Sequence, residues 1–127
     1  MRRKRILLVD DEPIFLRVMR SYLETTDKYD VRVESDSKKA LLAAREFQPD
    51  LIVLDVIMPD VDGGDIAAEL KADARLSRIP FVFLTATVSK EEVRKHGDII
   101  GGQRFLAKPV DADELESCID EILSRAA

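Results

Sequence analysis

The chain has 127 residues, 46% apolar and 35% charged, with 20 basic and 25 acidic side chains giving a net charge of −5. That length suits one domain around one hydrophobic core, and that composition suits a globular chain rather than a disordered one. The negative balance argues against nucleic acid as the main partner, because such binding rests on neutralising phosphates.

The basic cluster Arg2-Arg3-Lys4-Arg5 reads as a solvated lead-in to the first strand, not as a nucleic-acid arm. The apolar run after it, Ile6 to Val9, is too short for a signal peptide and is stopped by Asp10-Asp11-Glu12. No stretch is long enough to span a bilayer, so no membrane partner is expected. Cys118 is the only cysteine, which rules out an internal disulfide. These points together predict a cytoplasmic protein.

Ile6-Leu7-Leu8-Val9 is the first strand and ends in Asp10-Asp11. Pro13 stands where a first helical turn tolerates it, and Phe15, Val18, Met19, Tyr22 and Leu23 recur at helical spacing. Val31-Arg32-Val33-Glu34 alternates, as a strand with one wet face does at a sheet edge. Asp36 or Ser37 caps the next helix, with Ala40, Leu41 and Ala44 facing inward.

Leu51-Ile52-Val53-Leu54 is the third strand, apolar throughout and therefore buried on both faces, and it runs straight into Asp55. A turn-rich loop follows through Gly63-Gly64, and Ile66 and Leu70 mark a third helix. Pro80-Phe81-Val82-Phe83-Leu84 is a fourth strand ending in Thr85-Ala86-Thr87. Ser89 with Glu92 forms a capping box that starts a fourth helix near residue 90. Arg104-Phe105-Leu106-Ala107 is a short fifth strand ending in Lys108-Pro109. Asp111 with Glu114 repeats the box, Val110 with Leu115 forms a hydrophobic staple, and Leu115, Cys118, Ile119 and Ile122 share one face of the last helix.

Five strand–helix units in alternation predict an α/β fold: a flavodoxin-like three-layer sandwich with a five-stranded parallel sheet of order 2-1-3-4-5 and five helices. One domain over residues 1–127, with its core at about 5–124 and no output domain, is the expected organisation. In that topology the ends of strands one, three, four and five meet at one edge. They carry Asp10-Asp11, Asp55, Thr85 and Lys108. Carboxylates about 4 Å apart repel by roughly 4 kcal/mol at an effective dielectric near 20, so such a group calls for a hard cation. Oxygen ligands with spare water positions suit Mg2+, which keeps places for phosphate oxygens. Lys108 and Thr85 can hold phosphoryl oxygens, which leaves Asp55 as the nucleophile.

With Asp10-Asp11, Asp55 followed by Met58-Pro59 and Asp62-Gly63, Thr85-Ala86, and Phe105-Leu106-Ala107-Lys108-Pro109 in order, the chain resembles the receiver domain of two-component response regulators from about Arg5 to Ser124. The resemblance implies a phosphoacceptor, Asp55, loaded by a sensor histidine kinase or phosphotransfer protein. It implies Mg2+ held by Asp10, Asp11, Asp55 and the backbone carbonyl of Ile57. It implies Lys108 on the phosphoryl group with a cis bond to Pro109, and a small Ala86 that leaves room beside the phosphate. Thr85 and Phe105 would act as a switch that changes the surface of the fourth helix, fifth strand and fifth helix. That surface would serve a downstream protein target or fused output domain, or a homodimer, without direct nucleic-acid binding. The protein would then be no enzyme beyond its own phosphorylation and dephosphorylation. A phosphorylation-independent interaction module on the same fold is the competing reading. A haloacid-dehalogenase-type phosphatase would need a second Asp where Ile57 stands, and a P-loop nucleotidase needs a glycine-rich lysine motif that is absent.

Overall fold

A computed structural model describes residues 3–55, 63–85, 99–100 and 103–126. The elements are β1 (Lys4–Val9), α1 (Pro13–Thr25), β2 (Tyr29–Glu34), a 3-10 turn (Ser37–Lys39), α2 (Ala40–Phe47) and β3 (Leu51–Asp55). They continue with α3 (Gly63–Ala72), β4 (Phe81–Thr85), β5 (Ile99–Ile100), β6 (Gln103–Ala107) and α4 (Ala112–Ala126). The expected fifth strand is thus β6 and the expected last helix is α4. The helix expected near residue 90 lies outside the described residues, as do Ile57 and Ala86.

The sheet order is β2-β1-β3-β4-β6-β5. Its five main strands are parallel and follow the expected 2-1-3-4-5 order. The two-residue β5 adds an antiparallel rim, with Ile100 opposite Gln103 across the Gly101-Gly102 link. β6, the last strand of the expected order, therefore gains a neighbour on its outer side.

Side chains alternate between two cores because successive strand residues point to opposite faces. Ile6, Leu8, Leu51, Val53, Val82, Leu84 and Leu106 pack with Leu16, Met19 and Leu23 of α1 and Leu115, Cys118 and Ile119 of α4. Leu7, Val9, Ile52, Leu54 and Phe83 pack with Ala40, Ala43 and Ala44 of α2 and Ile66, Ala67 and Leu70 of α3. Helical spacing alone marks Val18 as inward, but it is exposed and Leu16 takes the buried position. Ala43 likewise joins the inner face of α2, while Leu41 sits at its margin.

Local chemistry sets the helix ends. Asp36 accepts a hydrogen bond from the Lys38 N–H at 2.9 Å, so it caps the 3-10 turn that leads into α2. Gln48 closes α2 at φ 53°, donating its N–H to the Ala44 carbonyl at 2.9 Å, with Pro49 following. The capping box of α4 is formed, with the Glu114 N–H donating to Asp111 at 2.8 Å.

The far end of the sheet holds the register. The Arg5 N–H donates to the Asp50 carboxylate at 2.8 Å, the Asp50 N–H donates to the Arg5 carbonyl at 2.7 Å, and the Arg5 guanidinium donates to the Phe47 carbonyl at 3.0 Å. This clamp joins β1 to the turn before β3. With both strands fixed there, Val9 comes level with Leu54 at the opposite edge.

Candidate functional site

The register decides which side chains meet. Val9 pairs with Leu54, so Asp10 and Asp55 step off neighbouring strands at one level. Asp55 pairs with Leu84, and Thr85 pairs with Ala107, which places Thr85 and Lys108 one step further on. The Lys108 N–H donates to the Thr85 carbonyl at 2.8 Å, which ties the start of the last loop to the end of β4. The bond from Lys108 to Pro109 is cis.

One carboxylate oxygen each from Asp10, Asp11 and Asp55 lie within 4.8 Å of one another. The Asp10 and Asp55 side chains are 1% and 6% exposed, so bulk water screens neither charge well. Lys108 is the cation among them. Its Nζ is 2.8 Å from Asp10 Oδ2, 2.9 Å from Glu12 Oε1 and 3.4 Å from Asp55 Oδ2. It also stands 5.2 Å from the centre of the Phe15 ring. Glu12, Phe15, Lys108, Pro109 and Val110 wall a cleft of about 340 Å³ beside the carboxylates.

Charge and burial pull against each other here. Burial pushes the Asp10 carboxyl above its ordinary value, and Lys108 and the Glu12 N–H pull it only part of the way back. Burial by itself would lower the Lys108 pKa, but its contacts with Asp10, Glu12 and Asp55 outweigh that and raise it above an ordinary lysine. The ammonium is therefore firmly charged at neutral pH.

Among the described residues, three carboxylates with one lysine leave a local negative excess. Asp10 Oδ1 accepts the Glu12 N–H at 3.0 Å. Asp10 Oδ2 is buried and makes a 2.8 Å ion pair with Lys108 Nζ, and among the described residues no other donor reaches it. A buried oxygen with spare lone pairs, within reach of two other carboxylates, fits a hard cation. Asp10, Asp11 and Asp55 are the residues that can hold it.

Of the expected site residues, Asp10, Asp11, Asp55 and Lys108 come together, and Thr85 is buried at the neighbouring strand end. Phe105 is half-buried on β6, its ring 5.2 Å from that of Phe83. Ile57 and Ala86 lie outside the described residues. Sequence reading assigned no role to Glu12 or Phe15, which grip Lys108 from two sides. One signal was present: Glu12 occupies the N-cap of α1, where Ser, Thr, Asp or Asn is preferred.

Comparison with known proteins agrees with this arrangement. The sequence profile of the response regulator receiver domain matches residues 6–120. The chain is 36% identical over 120 residues to "Response regulator Rre1" of Synechocystis sp., covering 94% of this chain and 52% of that protein. It is 35% identical over 121 residues to the "DNA-binding dual master transcriptional regulator RpaA" of the same organism, covering 95% and 49%. Among solved structures, the receiver domain of Francisella response regulator 1452 superposes with a TM-score of 0.79 at 26% identity, covering 98% of this chain and 99% of that one.

The chain spans about half the length of the curated relatives it matches. That overturns the expectation of no direct nucleic-acid binding, since a relative of this chain is named for binding DNA. The net charge of −5 is that of the receiver-matched chain, whereas the DNA-binding name belongs to a relative about twice as long. Among the described residues no helix is long and apolar enough to cross a membrane. Strand order, the acidic strand ends with their lysine, and a profile match over nearly the whole length lead to one conclusion: the chain belongs to the response regulator receiver domain family.

Proposed function

We propose that this receiver takes a phosphoryl group from a phosphohistidine on a sensor kinase onto Asp55, and passes the signal on through its surface. The observation that carries this reading is the position of Asp55: a carboxylate 6% exposed, at a strand end, with the Lys108 ammonium at 3.4 Å and two further carboxylates beside it. A carboxylate oxygen of Asp55 forms the new P–O bond as the P–N bond to the donor histidine breaks, and the electron pair stays on the imidazole nitrogen. Lys108 faces the arriving negative charge, and Thr85 offers a hydroxyl to a phosphoryl oxygen. Asp10, Asp11 and Asp55 would hold Mg2+, with the Ile57 carbonyl; when bound, the ion screens the carboxylates from the incoming group.

The readout follows from charge moved at one edge. Thr85 turns toward the phosphoryl oxygen beside the small Ala86, and Phe105 moves toward the space this leaves, which changes the β6–α4 side of the sheet. Control of transcription is the output that the named relatives suggest for a receiver of this kind. The receiver core is about residues 5–124, and the protein works in the cytoplasm.

Incubation with acetyl phosphate, with and without Mg2+, followed by intact mass measurement, tests the reading. The expected result is one added phosphoryl group that depends on Mg2+ and disappears in Asp55→Asn. No adduct under any condition would refute it and favour a module that signals without phosphorylation.

A further inference from the structure

Glu12 sits at a helix N-cap yet makes no capping hydrogen bond with its side chain. Its backbone N–H is taken by Asp10 Oδ1 at 3.0 Å and its carbonyl accepts the Leu16 N–H at 3.1 Å, so its main chain is fixed from both sides. The carboxylate instead reaches out to Lys108 at 2.9 Å. It is 62% exposed and does not belong to the carboxylate trio suited to a cation. A position that forgoes the usual capping chemistry and points its charge at the lysine of the reactive pocket departs from its local rule in the way functional positions do.

The distances show what this contact can do. Among the described residues Lys108 has three acidic neighbours, and two of them, Asp10 and Asp55, are residues that a bound cation would share. A cation on Asp10 Oδ2 competes directly with the ammonium 2.8 Å away. Among the described residues Glu12 is the acidic partner of Lys108 that such a cation leaves alone. It keeps the ammonium at the mouth of the pocket, with the Phe15 ring on another side at 5.2 Å.

We propose that Glu12 is a positioning residue for Lys108: it holds the ammonium beside Asp55 while the metal takes the place of that ammonium on Asp10. The inference rests on the phosphoacceptor reading above and adds a residue to it. Because Glu12 is 62% exposed, the pair contributes as a solvent-screened ion pair does, ~2- to 5-fold in an equilibrium.

The test is a double-variant cycle read by calorimetric titration with MgCl2 alone, on the full chain. Removing any nearby negative charge weakens Mg2+ binding somewhat, so Glu12→Gln is measured both with Lys108 present and in Lys108→Met. Lys108→Gln stands in if Lys108→Met does not fold. The expected result is that Glu12→Gln raises the Mg2+ Kd ~2- to 5-fold more with Lys108 than without it. Equal changes in the two backgrounds would overturn the proposal, since Glu12 would then act as bulk charge only. Acetyl phosphate labelling of the wild type separates the two claims. A labelled wild type with an additive cycle removes the role of Glu12 alone, and an unlabelled wild type removes the phosphoacceptor reading whatever the cycle gives.

Discussion

Lys108→Met is the substitution that most directly probes the charge balance of the site. At an effective dielectric near 20, a unit charge 2.8 Å from Asp10 and 3.4 Å from Asp55 gains about 6 and about 5 kcal/mol in gross attraction. Desolvating a lysine that is only 14% exposed offsets several kcal/mol of this. The substitution, however, leaves both carboxylates where they are, within 4.8 Å of each other and of Asp11, repelling by about 3.5 kcal/mol per pair. Breaking a buried pair from one side typically costs about 3–5 kcal/mol, and that is the expected loss in metal-free buffer at neutral pH. For a chain of this size about 1 kcal/mol moves the melting temperature by about 4 °C, so Tm should fall by about 10–20 °C. Added MgCl2 supplies the missing positive charge. At about 100 times its Kd a ligand of the native state contributes about 2.7 kcal/mol, and Lys108→Met should gain more from it than the wild type, whose lysine competes for the same oxygens. Thermal melts followed by circular dichroism, with EDTA and with MgCl2, measure both effects. A variant that melts within about 3 °C of the wild type in EDTA, or that gains no more from MgCl2, would refute the reasoning.

Three further outcomes follow from groups outside the pocket. The Tyr29 hydroxyl is buried and, among the described residues, finds no hydrogen-bond partner; Tyr29→Phe removes an unmet polar group and should stabilise by about 1 kcal/mol in urea unfolding, whereas a clear loss would show the hydroxyl to be satisfied. The Tyr22 hydroxyl donates to Asp113 at 2.6 Å, and that contact with the acid pushes its pKa up to about 12. With two tyrosines and no tryptophan in the chain, Tyr29→Phe isolates Tyr22, whose ultraviolet titration should show a midpoint well above the ordinary 10. Asp73 accepts the Arg75 N–H at 2.8 Å and pairs with Arg45 at 2.9 Å, which together hold its carboxyl below the ordinary 3.8. A depressed native pKa adds stability that is complete above 3.8 and fades as pH falls through the native value. The urea midpoint of the wild type should therefore exceed that of Asp73→Asn at pH 6, with the gap shrinking below pH 4.

The strand order and the edge that carries the chemistry were legible because each depends on short-range pattern. Ile6–Val9, Leu51–Leu54 and Phe81–Leu84 are continuous apolar runs that only a sheet covered on both faces can bury. The alternating segment Val31–Glu34 belongs beside a single neighbour, and it lies in β2, an edge of the sheet. The box of Asp111 with Glu114 forms as its spacing requires, since a helix start needs only its own residues. Reading failed where a neighbour far along the chain decides. Val18 fits the helical stripe as well as Leu16 does, and which of them turns inward depends on how α1 lies on the sheet. The antiparallel β5 was missed because two residues carry too little periodicity to read.

By itself, then, the amino-acid order determined the five main strands, the described helices beside them, and which carboxylates, hydroxyl and lysine end the strands, because hydrophobic period and capping are local properties. The tertiary structure alone decided that Lys108 rests nearer Asp10 than Asp55, that Asp10 Oδ2 is buried against that lysine, and that Glu12 turns from its helix to the lysine. These are differences of a few tenths of an ångström between groups far apart in sequence. They are fixed by the strand register and by the balance of burial against charge, which exists only once the chain has folded.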